Sequence, residues 1–374
     1  MAWSIRELIQ SIITRLYIYG INPIEVESAL KEVEKVPLVK LYALEEGWVD
    51  IWRRKSDKFI TMALEAEKRG HKESAKAFRK LVMQCDYAAS LINSNHISFK
   101  QATYKRLEEH YQIYTSYLTG CVKALEIPFR ETKRLKGYLH LPSEEGKYPC
   151  MVLFAGEGSS KEELHMLARA FVKRNIAVFT WDTPGTGSSL FEQDIKNNFT
   201  NLKESFNTVF KYLKALPEID ENKLGTAGLC MGGGYAYYAA ANEEAVKCCV
   251  NFFPLLIKSA NIELIPHWMK AGKWANYQRE LKGEAFANDI GQLDESIVTC
   301  DYLLFNGKYD NWMSYENTMN LYHKAQGKKK VITVEEELVF QEEASVGHTM
   351  PVGEQIHWIK HIAADWASDV FKNT

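Results

Sequence analysis

Two regimes of hydrophobic spacing divide the chain. Up to about residue 124 the apolar positions recur three or four apart, the period of helices with one buried face. Residues 74–92 carry Ala75, Phe78, Val82, Cys85, Ala89 and Ile92 in this spacing, and residues 98–118 carry Tyr104, Leu107, Tyr111, Tyr114 and Leu118. A further helical stretch, 58–68, ends at Gly70, and Trp48 and Trp52 stand four apart on one helix face. Beyond residue 124 short apolar runs take over. Two of them, 125–129 and 135–141, flank a turn. Then come 149–155, 176–181, 223–229, 245–253, 301–306 and 330–335, with helical stretches at 161–174, 201–216 and 353–371. Strands alternating with helices build a mostly parallel sheet, and strands covered on both faces read as continuous apolar runs. The pattern predicts an α/β catalytic domain over residues 125–374, preceded by an all-helical domain over residues 1–124. Residues 254–299 break the alternation and hold Pro266, Trp268, Trp274 and Tyr277. They read as an insertion near the mouth of the sheet, where α/β folds bind ligands.

Composition narrows the function classes. With 374 residues, 46% apolar and 25% charged, the chain is long enough for two domains and ordinary for a globular protein. A net charge of −2 gives no field that would draw nucleic acid or an anionic membrane, and Lys328-Lys329-Lys330 is too short a basic block to act as one. No apolar run reaches the length of a membrane span, so no membrane association is expected. Residues 1–20 are amphipathic, with Glu7 and Arg15 inside the apolar stretch, unlike a secretory leader. The seven cysteines are odd in number and irregularly spaced, without a Cys-x-x-Cys pair. They read as reduced thiols of a cytoplasmic protein rather than as a disulfide or metal framework.

The candidate chemistry centres on Gly228-Leu229-Cys230-Met231-Gly232. A strand runs into it and a helix leaves it, so the cysteine sits on a sharp turn with its sulfur clear of the sheet. It also stands at a helix N-terminus, the positive end of the helix dipole. In this arrangement an acid and then a histidine follow the nucleophile in chain order. Asp310 follows the strand 301–306 through Gly307-Lys308-Tyr309, and His348 lies in a loop after the last strand. His323 falls in a helical stretch, and His357 and His361 share a helix face without a third ligand, so His348 is the expected base and no metal is expected. Acyl chemistry also needs donors for an oxyanion. One is the N–H of Met231. The other comes from the loop Ala155-Gly156-Glu157-Gly158-Ser159-Ser160, from the N–H of Glu157, with Gly158 as the fallback. That loop lacks the Gly-Lys-Ser/Thr ending of a phosphate loop, and Gly185-x-Gly187 is too short for a dinucleotide fingerprint. No organic cofactor is expected.

These residues, together with Lys161-Glu162-Glu163, Asp182-x-Pro-Gly-x-Gly, Tyr19-Gly20-Ile21 and Gly70-His71-x-x-Ser74-Ala75, make the chain similar to a known group. It resembles α/β-hydrolases with an N-terminal helical domain, the group of the 2,6-dihydroxypseudooxynicotine and polyketide-shortening hydrolases, and more distantly the fermentation-respiration switch esterases. The resemblance covers nearly the whole chain. It implies an α/β-hydrolase fold and cleavage of an ester, a thioester or a carbon–carbon bond next to a ketone. The implied substrate is aromatic or polyketide-derived, a small molecule or a carrier-bound acyl group, held between the helical domain and the sheet. A homodimer is compatible with such a helical domain. One departure stands out: most members carry Ser at the turn, and this chain carries Cys230. A thiolate yields a thioester, a good donor to nitrogen, oxygen or carbon nucleophiles. The cysteine therefore raises acyl transfer or cyclisation beside hydrolysis. A non-catalytic binding scaffold or thiol sensor is the reading from a different class.

Overall fold

The computed structural model describes residues 5–41, 45–91, 97–118, 120–260, 277–308, 310, 312–334 and 355–374. One compact unit holds the chain up to residue 119, and another holds the sheet from residue 120 onward.

The first unit is helical. Its longest elements are Trp48–Lys68, Lys72–Leu91 and Ile97–Thr115. Trp48 and Trp52 lie on one face, as their spacing predicts, with ring centroids 5.7 Å apart. The Trp48 indole N–H donates to the Ala88 carbonyl at 2.7 Å, which satisfies a buried donor where the first two of these helices meet. A charged staple joins all three. Arg106 pairs with buried Asp86 at 3.0 Å and with Asp57 at 2.6 Å, and His110 Nδ1 contacts the other Asp86 oxygen.

The second unit has the α/β-hydrolase architecture expected from the sequence. Its strands are β1 (Cys121–Phe129), β2 (Lys133–Leu141), β3 (Tyr148–Phe154), β4 (Ala177–Trp181), β5 (Ile219–Leu229), β6 (Val246–Phe252), β7 (Asp301–Gly307) and β8 (Lys329–Val334). Their order in the sheet is β1-β2-β4-β3-β5-β6-β7-β8. β1 and β2 form an antiparallel hairpin, β2 runs antiparallel to β4, and the remaining pairs are parallel. Helices Phe199–Lys214 and Met231–Asn242 bury Leu202, Phe206, Tyr235 and Ala239 on one face of the sheet. On the other face, His165–Val172 and Gln355–Lys372 bury Ala168, Phe171, Ala363 and Ala367.

Three boundaries differ from the sequence pattern. β1 begins at Cys121 rather than at 125, because it pairs with β2 along its whole length while Lys123 interrupts the apolar run and residues 121–124 are only partly covered. β5 begins at Ile219, since Asp220, Glu221 and Asn222 mask a strand start that contains few apolar residues. The stretch 161–174 is a short 3-10 turn, Lys161–Leu164, followed by the helix His165–Val172. The Lys161 backbone N–H there donates to an Asp182 carboxylate oxygen, so the first turn is organised by a side chain just beyond the end of β4.

His140 on β2 is fully buried, with Nε2 3.3 Å from Thr180 Oγ1. Burial pushes its imidazole down to about 3 from an ordinary 6.5, and Arg169 acts in the same direction. The unfolded chain therefore binds a proton that the folded chain refuses between these values, and stability rises with pH across that window. The expected result is an unfolding free energy that falls as pH drops from 6.5 toward 4, by up to about 1.4 kcal/mol per pH unit from this group, with the melting temperature falling in step. His140→Leu should flatten that slope in thermal denaturation; an unchanged slope would assign it to other groups.

Candidate active site

In the parallel part of the sheet, β3 to β8, every strand ends at the same edge, and the chemistry collects there. Gly156 follows β3, Asp182 follows β4, Cys230 follows β5, and Asp310 follows β7. Adjacent registers keep the ends level: Leu229 pairs with Phe252, and Phe252 with Phe305.

Cys230 sits between β5 and the helix Met231–Asn242 with φ 57° and ψ −124°. A non-glycine residue at positive φ carries roughly 1–3 kcal/mol of strain, which persists only where the surroundings fix it. Three hydrogen bonds do so. The Cys230 N–H donates to Phe252 O at 3.0 Å, and its carbonyl accepts from Gly233 N–H at 2.9 Å and Leu255 N–H at 2.8 Å. The turn is so tight that a Cβ at Gly228 would lie 1.9 Å from the Gly232 carbonyl oxygen, so glycine is obligatory there. A Cβ at Gly156 would lie 3.2 Å from Cys230 Cβ and 3.9 Å from its sulfur, which places the loop after β3 directly against the cysteine.

The residues expected to supply N–H donors are both at this spot. Met231 opens the helix, where the first N–H groups have no carbonyl partner within the helix. Its sulfur accepts from the Tyr235 hydroxyl at 2.9 Å. Glu157 follows Gly156, so its N–H is the next along the loop. Its buried carboxylate accepts from Arg279 Nη2 at 2.8 Å and from Gln278 Nε2. Gly158 lies one residue further on, in the left-handed region at φ 70°.

Asp310 is buried, and one carboxylate oxygen accepts the N–H groups of Trp312 at 2.9 Å and Met313 at 3.0 Å. That leash fixes the carboxylate orientation at the β7 end. His348 lies outside the described residues.

Two features escaped the sequence reading. The first is a buried ion cluster: Lys161 Nζ lies 2.9 Å from Asp182 Oδ2 and 3.0 Å from Glu162 Oε1, all three residues fully buried or nearly so. Both Lys161-Glu162-Glu163 and Asp182-x-Pro-Gly-x-Gly carry the family resemblance, but nothing in their spacing announces that they pair in the core. The second is the set Asn197, Tyr235, Gln278 and Arg279 around Glu157. These come from segments far apart in sequence, and no spacing announces them. Gln278 and Arg279 do fall within 254–299, the stretch set apart as an insertion near the sheet mouth. Residues 261–276 of that stretch lie outside the described residues. All seven cysteines are unpaired. Among the described residues, no helix is long and apolar enough to cross a membrane.

Residues 45–263 match the esterase FrsA-like family, and residues 163–374 match the prolyl oligopeptidase family. The α/β hydrolase xenA of Xenoacremonium sinensis is 27% identical over 225 residues, 56% of this chain and 51% of that protein. Hydrolase phmG of Phaeosphaeria nodorum is 27% identical over 231 residues, 56% of this chain and 52% of that one. The matched part of this chain thus spans about half the length of these relatives. The crystal structure of 2,6-dihydroxy-pseudo-oxynicotine hydrolase superposes with a TM-score of 0.76 at 19% identity, covering 96% of this chain and 95% of that one. The chain belongs to the esterase FrsA-like family and has the α/β-hydrolase fold.

Proposed function

We propose that the chain is a hydrolase that works through a Cys230-His348-Asp310 triad and a thioester intermediate. The observation that carries the reading is Cys230 held at positive φ, its sulfur against Gly156, at the same sheet edge as buried Asp310. In the reaction, Cys230 Sγ bonds to a substrate carbonyl carbon while His348 takes the thiol proton. The oxyanion is met by the N–H groups of Met231 and Glu157, with Gly158 as the fallback donor. Each such donor is typically worth ~3–4 kcal/mol in the transition state. The tetrahedral intermediate collapses, and the leaving group departs as an alcohol, a thiol or a carbanion equivalent, taking the proton from His348. Water then cleaves the thioester, returning a carboxylic acid and the free thiol. Asp310 orients the imidazole throughout. The substrate class is an ester, a thioester or a ketone with a cleavable neighbouring carbon–carbon bond. It is aromatic or polyketide-like and arrives as a small molecule or a carrier-bound acyl group.

The sulfur itself favours a second reading, acyl transfer or ring closure. A thioester gives up its acyl group readily to amines, alcohols and carbanions.

Intact-protein mass spectrometry after incubation with acyl thioesters or β-diketones tests both. The expected result is one acyl mass, mapped by peptide digestion to Cys230. Free acid as the product supports hydrolysis; an amide, lactone or new ring supports transfer. Turnover with the acyl group on another residue, or with no adduct in a rapidly quenched reaction, would sink the thioester mechanism.

A further inference from the structure

The two residues whose N–H groups are assigned to the oxyanion carry side chains that run into one buried polar chain. Met231 Sδ accepts from the Tyr235 hydroxyl at 2.9 Å, and that oxygen accepts from Asn197 Nδ2 at 3.0 Å. The Asn197 N–H donates to Gln278 O at 2.8 Å, and its carbonyl accepts from Glu280 N–H at 3.3 Å. Gln278 Nε2 and Arg279 Nη2 then both donate to Glu157 Oε1. The path begins at one expected donor residue and ends at the other. Asn197, Tyr235 and Gln278 are each no more than 3% exposed, so water does not compete for these bonds. Burial pushes the Tyr235 phenol well above its ordinary range and the nearby Glu157 carboxylate acts the same way, so the group remains an O–H donor.

The loop has a reason to need such an anchor. Glu157 stands between Gly156 and Gly158, and Gly158 is at φ 70°. A backbone flanked by glycines has the most conformational freedom to lose. Oxyanion donors act only when already in place, and a shift of about 1 Å can cost about 100-fold in rate.

We propose that Tyr235, Asn197, Gln278 and Arg279 are positioning residues that hold the Met231 and Glu157 backbone N–H groups in register for the oxyanion. The proposal rests on the reading of Cys230 as the acylated nucleophile. It separates two reactions of the same sulfur. Acylation by p-nitrophenyl acetate passes through an oxyanion. Alkylation by iodoacetamide displaces iodide at a saturated carbon and forms none.

The test measures both rates in the full chain for wild type, Tyr235→Phe, Glu157→Ala and Glu157→Gln, with near-UV circular dichroism as the check on folding. The expected result is acylation slowed about tenfold in Tyr235→Phe and in Glu157→Ala, short of the 10²–10³ seen on deleting a donor. Alkylation should stay within about twofold of wild type. Glu157→Gln, which keeps an acceptor oxygen for Gln278 and Arg279, should recover most of what Glu157→Ala loses. If acylation is unchanged in Tyr235→Phe or Glu157→Ala, or falls in proportion to alkylation, the positioning role is overturned while the Cys230 reading stands. If wild-type Cys230 is alkylated but never acylated, the thioester reading fails and takes this proposal with it.

Discussion

Cys230→Ala is expected to lose turnover by about 10⁴-fold or more while folding to the same structure. The size follows from the proposed role: removing a covalent nucleophile would leave only binding and the proposed oxyanion donors, a small residue of the original acceleration. Folding survives because the turn is held by backbone groups. The N–H bond to Phe252 and the carbonyl bonds from Gly233 and Leu255 all belong to the main chain of residue 230 and are indifferent to its side chain. Alanine keeps the strain of φ 57°, whereas glycine relieves it. Cys230→Gly should therefore unfold above Cys230→Ala, by about 1 kcal/mol once glycine's extra unfolded-state entropy is counted, or roughly 2–4 °C. Cys230→Ser distinguishes the two proposed fates of the acyl group. Its intermediate is an ester, a poorer donor to amines, so any transfer product should fall relative to free acid. An Ala variant that retains turnover would remove Cys230 from the mechanism altogether.

The parts of this molecule legible in the sequence are those where one physical demand acts alone. β3, β4, β6 and β7 are buried on both faces, and their apolar runs mark them within a residue or two. The cysteine turn is legible because close approach admits only glycine at Gly228. The start of β1 is hidden because Val122, half-buried, and Ala124, exposed, flank Lys123 on an edge strand and form no apolar run. The charged cluster was illegible for a deeper reason. Lys161 is a residue that composition assigns to the surface, and only a tertiary partner, Asp182, twenty-one residues later, makes its burial tolerable. Asn197, Tyr235, Gln278 and Arg279 are joined only through contacts that the chain makes after folding.

That cluster sets the second large expectation: Asp182→Ala should destabilise the sheet unit by about 3–5 kcal/mol, the usual cost of stripping one partner from a buried ion pair. At roughly 2–4 °C per kcal/mol for a unit of this size, the melting temperature should drop by about 10 °C. The cost is high because four donors converge on one carboxylate. The Lys161 N–H and Nζ donate to it, each at 2.9 Å, as do the Ser188 N–H at 2.9 Å and the Ser188 hydroxyl at 2.8 Å. Gly187 belongs to the same construction, since a Cβ there would meet the carboxylate carbon at 2.2 Å. Asp182→Asn should fall between, because it keeps an acceptor oxygen but removes the negative charge that faces Lys161 beside Glu162. The effect should reach the site as well. Asp182 ties the start of the turn Lys161–Leu164 to the end of β4, and the loop bearing Glu157 lies just before that turn. Where the protein still folds, acylation of Cys230 should therefore slow more than its alkylation. Thermal denaturation of Asp182→Ala at the wild-type temperature would show that the carboxylate contributes nothing net to the fold.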